Sequence, residues 1–162
     1  MSGAVTACVA LGSNLDDPQA QVERGFAALA ALPRAALRAR SRRYRTPPWG
    51  VIGQPDFINA VALLETTLTP RELLEALLAI ETRAGRMRAV RYGPRTLDLD
   101  LLLYGDFVVC EPGLELPHPR LHERAFVRLP LADVAPDLEV PGRGHVADLL
   151  ARVDASGCKV ID

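Results

Sequence analysis

Phe57-Ile58-Asn59-Ala60-Val61-Ala62-Leu63-Leu64 gives way, four residues later, to Thr69-Pro70-Arg71-Glu72-Leu73-Leu74. The first run is uncharged, mostly apolar and of strand length. The second is a helix start: Thr69 and Glu72 have capping-box spacing, and Pro70 occupies the first helical position. Leu73, Leu74, Leu77, Leu78 and Ile80 supply its apolar stripe, and Gly85 is placed to end it. Leu97 to Tyr104 then alternates at its start, as a half-buried strand does.

The chain before this strand-helix-strand unit repeats its logic. Thr6 to Leu11 predicts a buried strand that turns at Gly12-Ser13-Asn14. Asp17 can cap the next helix, Pro18 suits its first turn, and Val22, Phe26 and Leu29 share one face. Arg38 to Tyr44 predicts an exposed edge strand. Thr46 to Pro55, with three prolines and two glycines, must be a loop. The order β-α-β-β-α-β predicts an α+β fold, a ferredoxin-like split βαβ sandwich with two helices on one face of a mostly antiparallel sheet. Gly105-Asp106 is placed to turn the Leu97–Tyr104 strand back into Phe107–Cys110 as a hairpin. Beyond it the chain is punctuated by proline, and His145 to Val153 predicts a short terminal helix. Neither a repeat nor a linker divides residues 1–162, which are expected to form a single domain.

At 162 residues, 49% of them hydrophobic and 24% charged, the chain can bury a core without disulfides or a structural metal. Nineteen basic residues against twenty acidic ones leave a net charge of −1, so no global field draws it to nucleic acid or membrane. Eighteen of the nineteen are arginine, whose planar fork suits phosphates and carboxylates. Cys8, Cys110 and Cys158 are too scattered for a zinc site or a redox pair. With no basic leader and no apolar run of membrane-spanning length, the expectation is a soluble protein of the cytoplasm.

Arg83, Arg86, Arg88, Arg91 and Arg95 occur without an intervening acid until Asp98 and Asp100. Strand alternation puts those two aspartates on one face with α-carbons roughly 7 Å apart. The bland account is an amphipathic strand with its acids in water, beside a solvated arginine loop. Against it, Leu102 and Tyr104 continue the same face, so the acids border something apolar, where unpaired carboxylates are costly. Mg²⁺ would relieve their repulsion, since it takes one or two carboxylates and completes its shell with water and phosphate oxygens. The arginines could then hold the remaining charge of a polyphosphate. No Walker-type phosphate loop is present, and His118 and His122 lack the partners of a zinc site. His118 and Arg124 suit a phosphate better. Trp49, Phe57 and Phe126 could stack on a flat heterocycle and Asn59 could read its edge, although on spacing alone the two phenylalanines are more often core residues and Asn59 a satisfied polar group of a strand.

Several blocks taken together resemble the 6-hydroxymethyl-7,8-dihydropterin pyrophosphokinase family: Leu11-Gly12-Ser13-Asn14-Leu15, Tyr44-Arg45-Thr46-Pro47-Pro48, Gln54-Pro55-Asp56-Phe57-Ile58-Asn59-Ala60, Gly93-Pro94-Arg95-Thr96-Leu97-Asp98-Leu99-Asp100 and Pro117-His118. They span about two-thirds of the chain in family order. The resemblance implies that Asp98 and Asp100 hold two Mg²⁺ ions against ATP, with Arg86 and Arg95 also at the reacting phosphates. It implies Arg86 and Arg88 on a mobile catalytic loop, and Glu81, Arg88, Tyr92, Arg95, His118 and Arg124 on the nucleotide. Phe57 and Phe126 would sandwich the pterin, whose edge would meet Asn59 and the backbone around Thr46, Pro47 and Trp49. Two positions depart from the pattern: Tyr92 stands where tryptophan is frequent, and Leu78 where some members have a polar nucleotide contact.

The reaction so implied is in-line attack of the pterin hydroxymethyl oxygen on the β-phosphorus of ATP, with AMP leaving. The expected partners are ATP and the pterin alcohol, acting on a monomer with no nucleic acid or membrane. Loops at Thr46–Gln54 and Ala84–Gly93 would close over them to exclude water. Two other classes stay open on the residues alone: an RNA-binding ferredoxin-like module, which lacks its aromatic signature here, and a different metal-dependent phosphotransferase sharing only the aspartate pair.

Overall fold

A computed structural model describes residues 3–15, 17–47, 55–84, 97–119, 121, 125–150 and 157–161, the side chains at 125, 126 and 150 excepted. Strand β1 (Val5–Ser13) leads to α1 (Pro18–Ala30), followed by β2 (Ala35–Arg40), β3 (Tyr44–Thr46) and β4 (Phe57–Thr66). Next come α2 (Pro70–Arg83), β5 (Asp98–Tyr104) and the short strands β6 (Val109–Glu111) and β7 (Leu114–Leu116). The remainder is α3 (Ala125–Val134), β8 (Glu139–Val140), β9 (Gly144–His145), α4 (Val146–Leu150) and β10 (Lys159–Val160).

The main sheet runs β10-β3-β4-β1-β5, with β2 also paired to β4, and its pairings are antiparallel. Taking β2 and β3 together as one interrupted strand, this is the split βαβ arrangement expected from the sequence. The interruption has a local cause. Ser41, just after β2, takes over the pairing: its N–H donates to the Val61 carbonyl at 2.9 Å, and its Oγ accepts from the Val61 N–H at 2.8 Å. One edge strand over Arg38–Tyr44 therefore becomes two strands on the same flank of β4.

Helices α1 and α2 cover one face, burying Val22, Phe26, Leu29, Leu73, Leu77 and Ile80 against Leu11, Ile58, Ala60, Ala62, Leu64 and Leu99. Both begin as the sequence predicts. Asp17 accepts from the Ala20 N–H, and the Thr69–Glu72 capping box is complete in both directions. Gly25 lets α1 approach closely, because a β-carbon there would lie 2.7 Å from Leu11 Cδ2.

A third helix, not expected from the residue pattern, packs on the opposite face. Val127 and Leu131 of α3, with Leu121, Val140, Val146 and Leu149, cover Cys8, Val61, Leu102 and Leu103. Pro130 lies inside α3, and the surrounding prolines obscure the helical period. Tyr104 corrects a further expectation. The β1–β5 register shifts between Cys8 and Val9, leaving Leu102 extra, so Leu102 and Leu103 both join the α3 side while Tyr104 turns into the α1/α2 core. The expected hairpin from β5 into Phe107–Cys110 is also corrected: β6 pairs with β7 in a separate two-stranded sheet, with Gly113 at positive φ in its turn. The terminal helix is described over Val146–Leu150.

Candidate functional site

On the α3 side of the sheet, one row of opposed residues crosses four strands. Asp98 of β5 lies opposite Gly12 of β1, Gly12 opposite Asn59 of β4, and Asn59 opposite Tyr44 of β3. Asp100 lies two residues from Asp98 on the same face, opposite Ala10, which is itself opposite Val61. Phe57 precedes Asn59 by two and is opposite Thr46. Two strand spacings separate Asn59 from Asp98, about 10 Å, and the residue between them is a glycine. The floor thus has an amide at one end, a carboxylate pair at the other, and no side chain in the middle.

Asn59 is 8% exposed and its Nδ2 donates to Thr46 Oγ1 at 2.7 Å. This bond fixes which way the carboxamide points. A β-carbon on Gly12 would come within 2.8 Å of Asn59 Oδ1, so only glycine leaves the amide where it is. Asn14, buried just beyond β1, donates from Nδ2 to the Pro55 carbonyl at 3.0 Å and ties that end of the floor to the chain entering β4. Phe57 is half-buried, and Pro47 is exposed directly after β3.

Asp98 and Asp100 are both partly exposed on β5. The amide between them belongs to Leu99, and its N–H donates to Glu81 Oε2 at 2.7 Å. Glu81 is 3% exposed, on the last turns of α2, so its carboxylate braces the outer edge of β5 from the helix side while β1 pairs the inner edge. His118 follows β7, and its N–H donates to the Leu102 carbonyl at 2.9 Å, bringing it alongside β5 two residues beyond Asp100. Leu78 is 41% exposed on α2.

Carboxylates are the donors a hard divalent cation prefers, and a cation held by one or two of them leaves positions for phosphate oxygens. Asp98 and Asp100, side by side and reachable by solvent, fit Mg²⁺ in that manner. Among the described residues no group of three His, Cys, Asp or Glu converges as an all-protein metal cage would require.

Of the other sequence candidates, Trp49, Arg86, Arg88, Tyr92, Arg95 and Arg124 lie outside the described residues. Phe126 is placed in the first turn of α3, its side chain lying outside the description. The structure brings together Thr46, Phe57, Asn59, Asp98 and Asp100 on one face, sets His118 beside β5, and puts Glu81 behind the aspartates. Gly12, which as sequence is an ordinary turn residue, falls instead inside a central strand. A glycine within a strand pattern marks close approach, and that was its signal.

One cluster had no signal at all. Asp133 of α3 accepts from Tyr44 Oη at 2.8 Å and from the Arg42 guanidinium at 2.9 and 3.2 Å. Burial, reinforced by the Asp133 bond, pushes the Tyr44 hydroxyl up to about 12. Burial likewise pushes the Cys8 thiol up to about 12, so that group is no nucleophile at neutral pH. Among the described residues, no helix is long and apolar enough to cross a membrane.

Comparison with known proteins shows which family the chain is similar to. A 2-amino-4-hydroxy-6-hydroxymethyldihydropteridine pyrophosphokinase of Pseudomonas aeruginosa is 48% identical over 149 residues, covering 92% of each chain. The Haemophilus influenzae protein of the same name is 42% identical over 90% of this chain and 91% of its own. Among solved structures, a Plasmodium falciparum HPPK-DHPS triple mutant with STZ-DHP superposes with a TM-score of 0.74 at 13% identity, over 92% of this chain. An HPPK-DHPS in complex with substrates does so at 0.72 and 12%, over 91%. This chain spans 43% of the length of each of those two-part proteins, and at such identity the likeness is one of fold. Residues 8–136 match 7,8-dihydro-6-hydroxymethylpterin-pyrophosphokinase (HPPK), and the chain belongs to that family.

Proposed function

We propose that this chain transfers pyrophosphate from ATP to the hydroxymethyl group of 6-hydroxymethyl-7,8-dihydropterin, releasing AMP, as a Mg²⁺-dependent step of folate biosynthesis. The observation that carries the assignment to this face is the Asp98–Gly12–Asn59 row. An amide held by Thr46 meets the pterin edge, the bare strand at Gly12 leaves room for its body, and the carboxylates receive the phosphate end. Phe57 from β4 and Phe126 from α3 stack on the two sides of the ring.

The hydroxymethyl oxygen forms a bond to the β-phosphorus, the bond from that phosphorus to the α-phosphate oxygen breaks, and the hydroxymethyl proton is lost to solvent. Asp98 and Asp100 would hold two Mg²⁺ ions, which would supply neutralisation of phosphate charge when bound. Glu81 keeps the backbone between the two aspartates from shifting, and His118, Arg95 and Arg124 hold phosphate oxygens. Arg86 and Arg88, with Tyr92, serve the nucleotide. The side chains around the reacting atoms align and neutralise; none becomes covalently attached to substrate. The chain acts as a single domain, as a monomer, in the cytoplasm.

Incubation with ATP, Mg²⁺ and the pterin alcohol, followed by separation of the nucleotides, tests the assignment. AMP and a pterin diphosphate in equal amounts are expected. ADP, or free pyrophosphate without pterin product, overturns it, and turnover undiminished by a chelator overturns the metal dependence.

A further inference from the structure

The floor row does not end at Asn59. Its next member, Tyr44, is 3% exposed and leaves the sheet to meet α3: its hydroxyl donates to Asp133 Oδ2 at 2.8 Å. Arg42 joins the same carboxylate through Nη2 at 2.9 Å, Nε at 3.2 Å and its backbone N–H at 3.2 Å, and its Nη2 also donates to Tyr44 Oη at 3.0 Å. Four donations on one side chain, from residues about ninety positions away in sequence, fix the C-terminal end of α3 over β3. A carboxylate shared by a guanidinium fork and a phenol holds direction as well as distance.

The other parts of the floor hang from the same short strand. β3 has three residues, and Thr46, two past Tyr44 on the same face, orients Asn59. At the far end of α3, the backbone of position 126 lies seven residues before Asp133, about two turns and 10 Å along the helix. A small movement at the pinned end therefore swings the other end by a comparable amount. We propose that Asp133 is a positioning residue: through Tyr44 and Arg42 it sets the separation between α3 and β3, and with it the distance of the first turn of α3 from the Phe57–Asn59 floor, the slot assigned above to the pterin. This rests on the assignment of that slot to the pterin. Asp98 and Asp100, three strands from Tyr44, lie outside its reach, so loss of the grip weakens the pterin more than ATP, whose one proposed contact next to α3 in sequence is Arg124.

The test compares Tyr44→Phe, Asp133→Asn and Asp133→Ala with the wild-type chain and with Phe57→Ala. Kd is measured separately for the pterin alcohol, by its own fluorescence, and for ATP with Mg²⁺, alongside the melting temperature. Tyr44→Phe removes one oxygen and keeps the ring, so it is the variant least able to unfold the protein. The expected result is a pterin Kd weakened about 2- to 30-fold, the range for residues acting through others, greatest in Asp133→Ala and partly restored in Asp133→Asn, with a clearly smaller change in ATP affinity. Unaltered pterin affinity in Asp133→Ala, while Phe57→Ala binds poorly, overturns the positioning role and leaves the slot assignment standing. Equal losses for both ligands that follow the melting temperature also overturn it. Phe57→Ala binding the pterin as well as wild type removes the slot assignment, and the positioning role with it.

Discussion

The two faces of the central sheet alternate residue by residue along the same strands but are put to opposite uses. On the α1/α2 face, Leu11, Ile58, Ala60 and Leu99 are covered by two helices whose apolar stripes meet them fully. On the α3 face, Cys8, Val61, Leu102 and Leu103 are covered by α3 and its neighbours, whereas Gly12, Phe57, Asn59, Asp98 and Asp100 lie toward the strand ends beyond that apolar cluster. Covering a face supplies stability, at about 1.5–3 kcal/mol for each large apolar side chain buried. The polar and glycine positions at the strand ends of the other face make a floor for ligands. Stability and chemistry are thereby assigned to alternate residues of one strand.

Strand β5 offers the sharpest way to break that division, since Asp98, Leu99 and Asp100 are consecutive. Asp98→Ala or Asp100→Ala is expected to lower turnover roughly a thousandfold or more, about 4 kcal/mol in the barrier, because the loss falls on phosphate charge. Denaturant midpoints should scarcely move. Leu99→Ala should do the reverse, costing about 2–5 kcal/mol of folding stability while the folded fraction keeps much of its activity. Near-normal turnover in both aspartate variants, or inactivity explained by unfolding, would erase the distinction between the faces.

Gly12→Ala probes the same boundary with a single methyl group. The new β-carbon must displace Asn59 Oδ1 from 2.8 Å, and Asn59 cannot turn aside without giving up its 2.7 Å bond to Thr46. The expected outcome is a roughly tenfold or greater rise in KM for the pterin, in line with the sensitivity of bound geometry to small displacements, with a stability cost of about 1–3 kcal/mol. Calorimetric titration of pterin and ATP in parallel checks it, and unchanged pterin affinity would show that the floor tolerates a side chain at its centre.

These contrasts also explain which features could be read from the sequence. The α1/α2 face was legible because its signals are local: the Thr69–Glu72 box, Asp17 before Pro18, and the leucine spacings fix helix ends and faces within a few residues. The aspartate pair was legible for the same reason, since two carboxylates at i and i+2 on a strand must share a face. Helix α3 was hidden because Pro130 and its neighbouring prolines mask the period. Tyr104 was assigned to the wrong face because a bulge opposite Cys8 and Val9 adds one residue to the count, and strand period alone cannot reveal that. Glu81 is singled out only by the resemblance, as a nucleotide-side carboxylate, and the fold alone shows its carboxylate accepting from the Leu99 amide. Asp133 and Tyr44 stand 89 residues apart, and no local pattern joins them.

The Tyr44–Asp133 bond gives the smallest effect and the one most specific to the α3 face. Burial first, then the hydrogen bond to Asp133, raises the Tyr44 hydroxyl to about 12, while nearby Arg42 pulls it the other way; an unfolded tyrosine titrates near 10. Because the folded value lies above the unfolded one, the neutral phenol stabilises the fold fully below about pH 10, and that contribution is lost as pH rises toward about 12. Tyr44→Phe cannot lose it. The stability difference between wild type and Tyr44→Phe, measured by urea unfolding, should therefore hold constant from about pH 8 to 10 and shrink from about 10 to 12. Cys8 and Tyr104, both raised by burial, titrate in the two proteins alike and cancel in the difference. A gap that stays constant through pH 12 would mean that the phenol ionises as easily folded as unfolded, and that α3 is not held at this point.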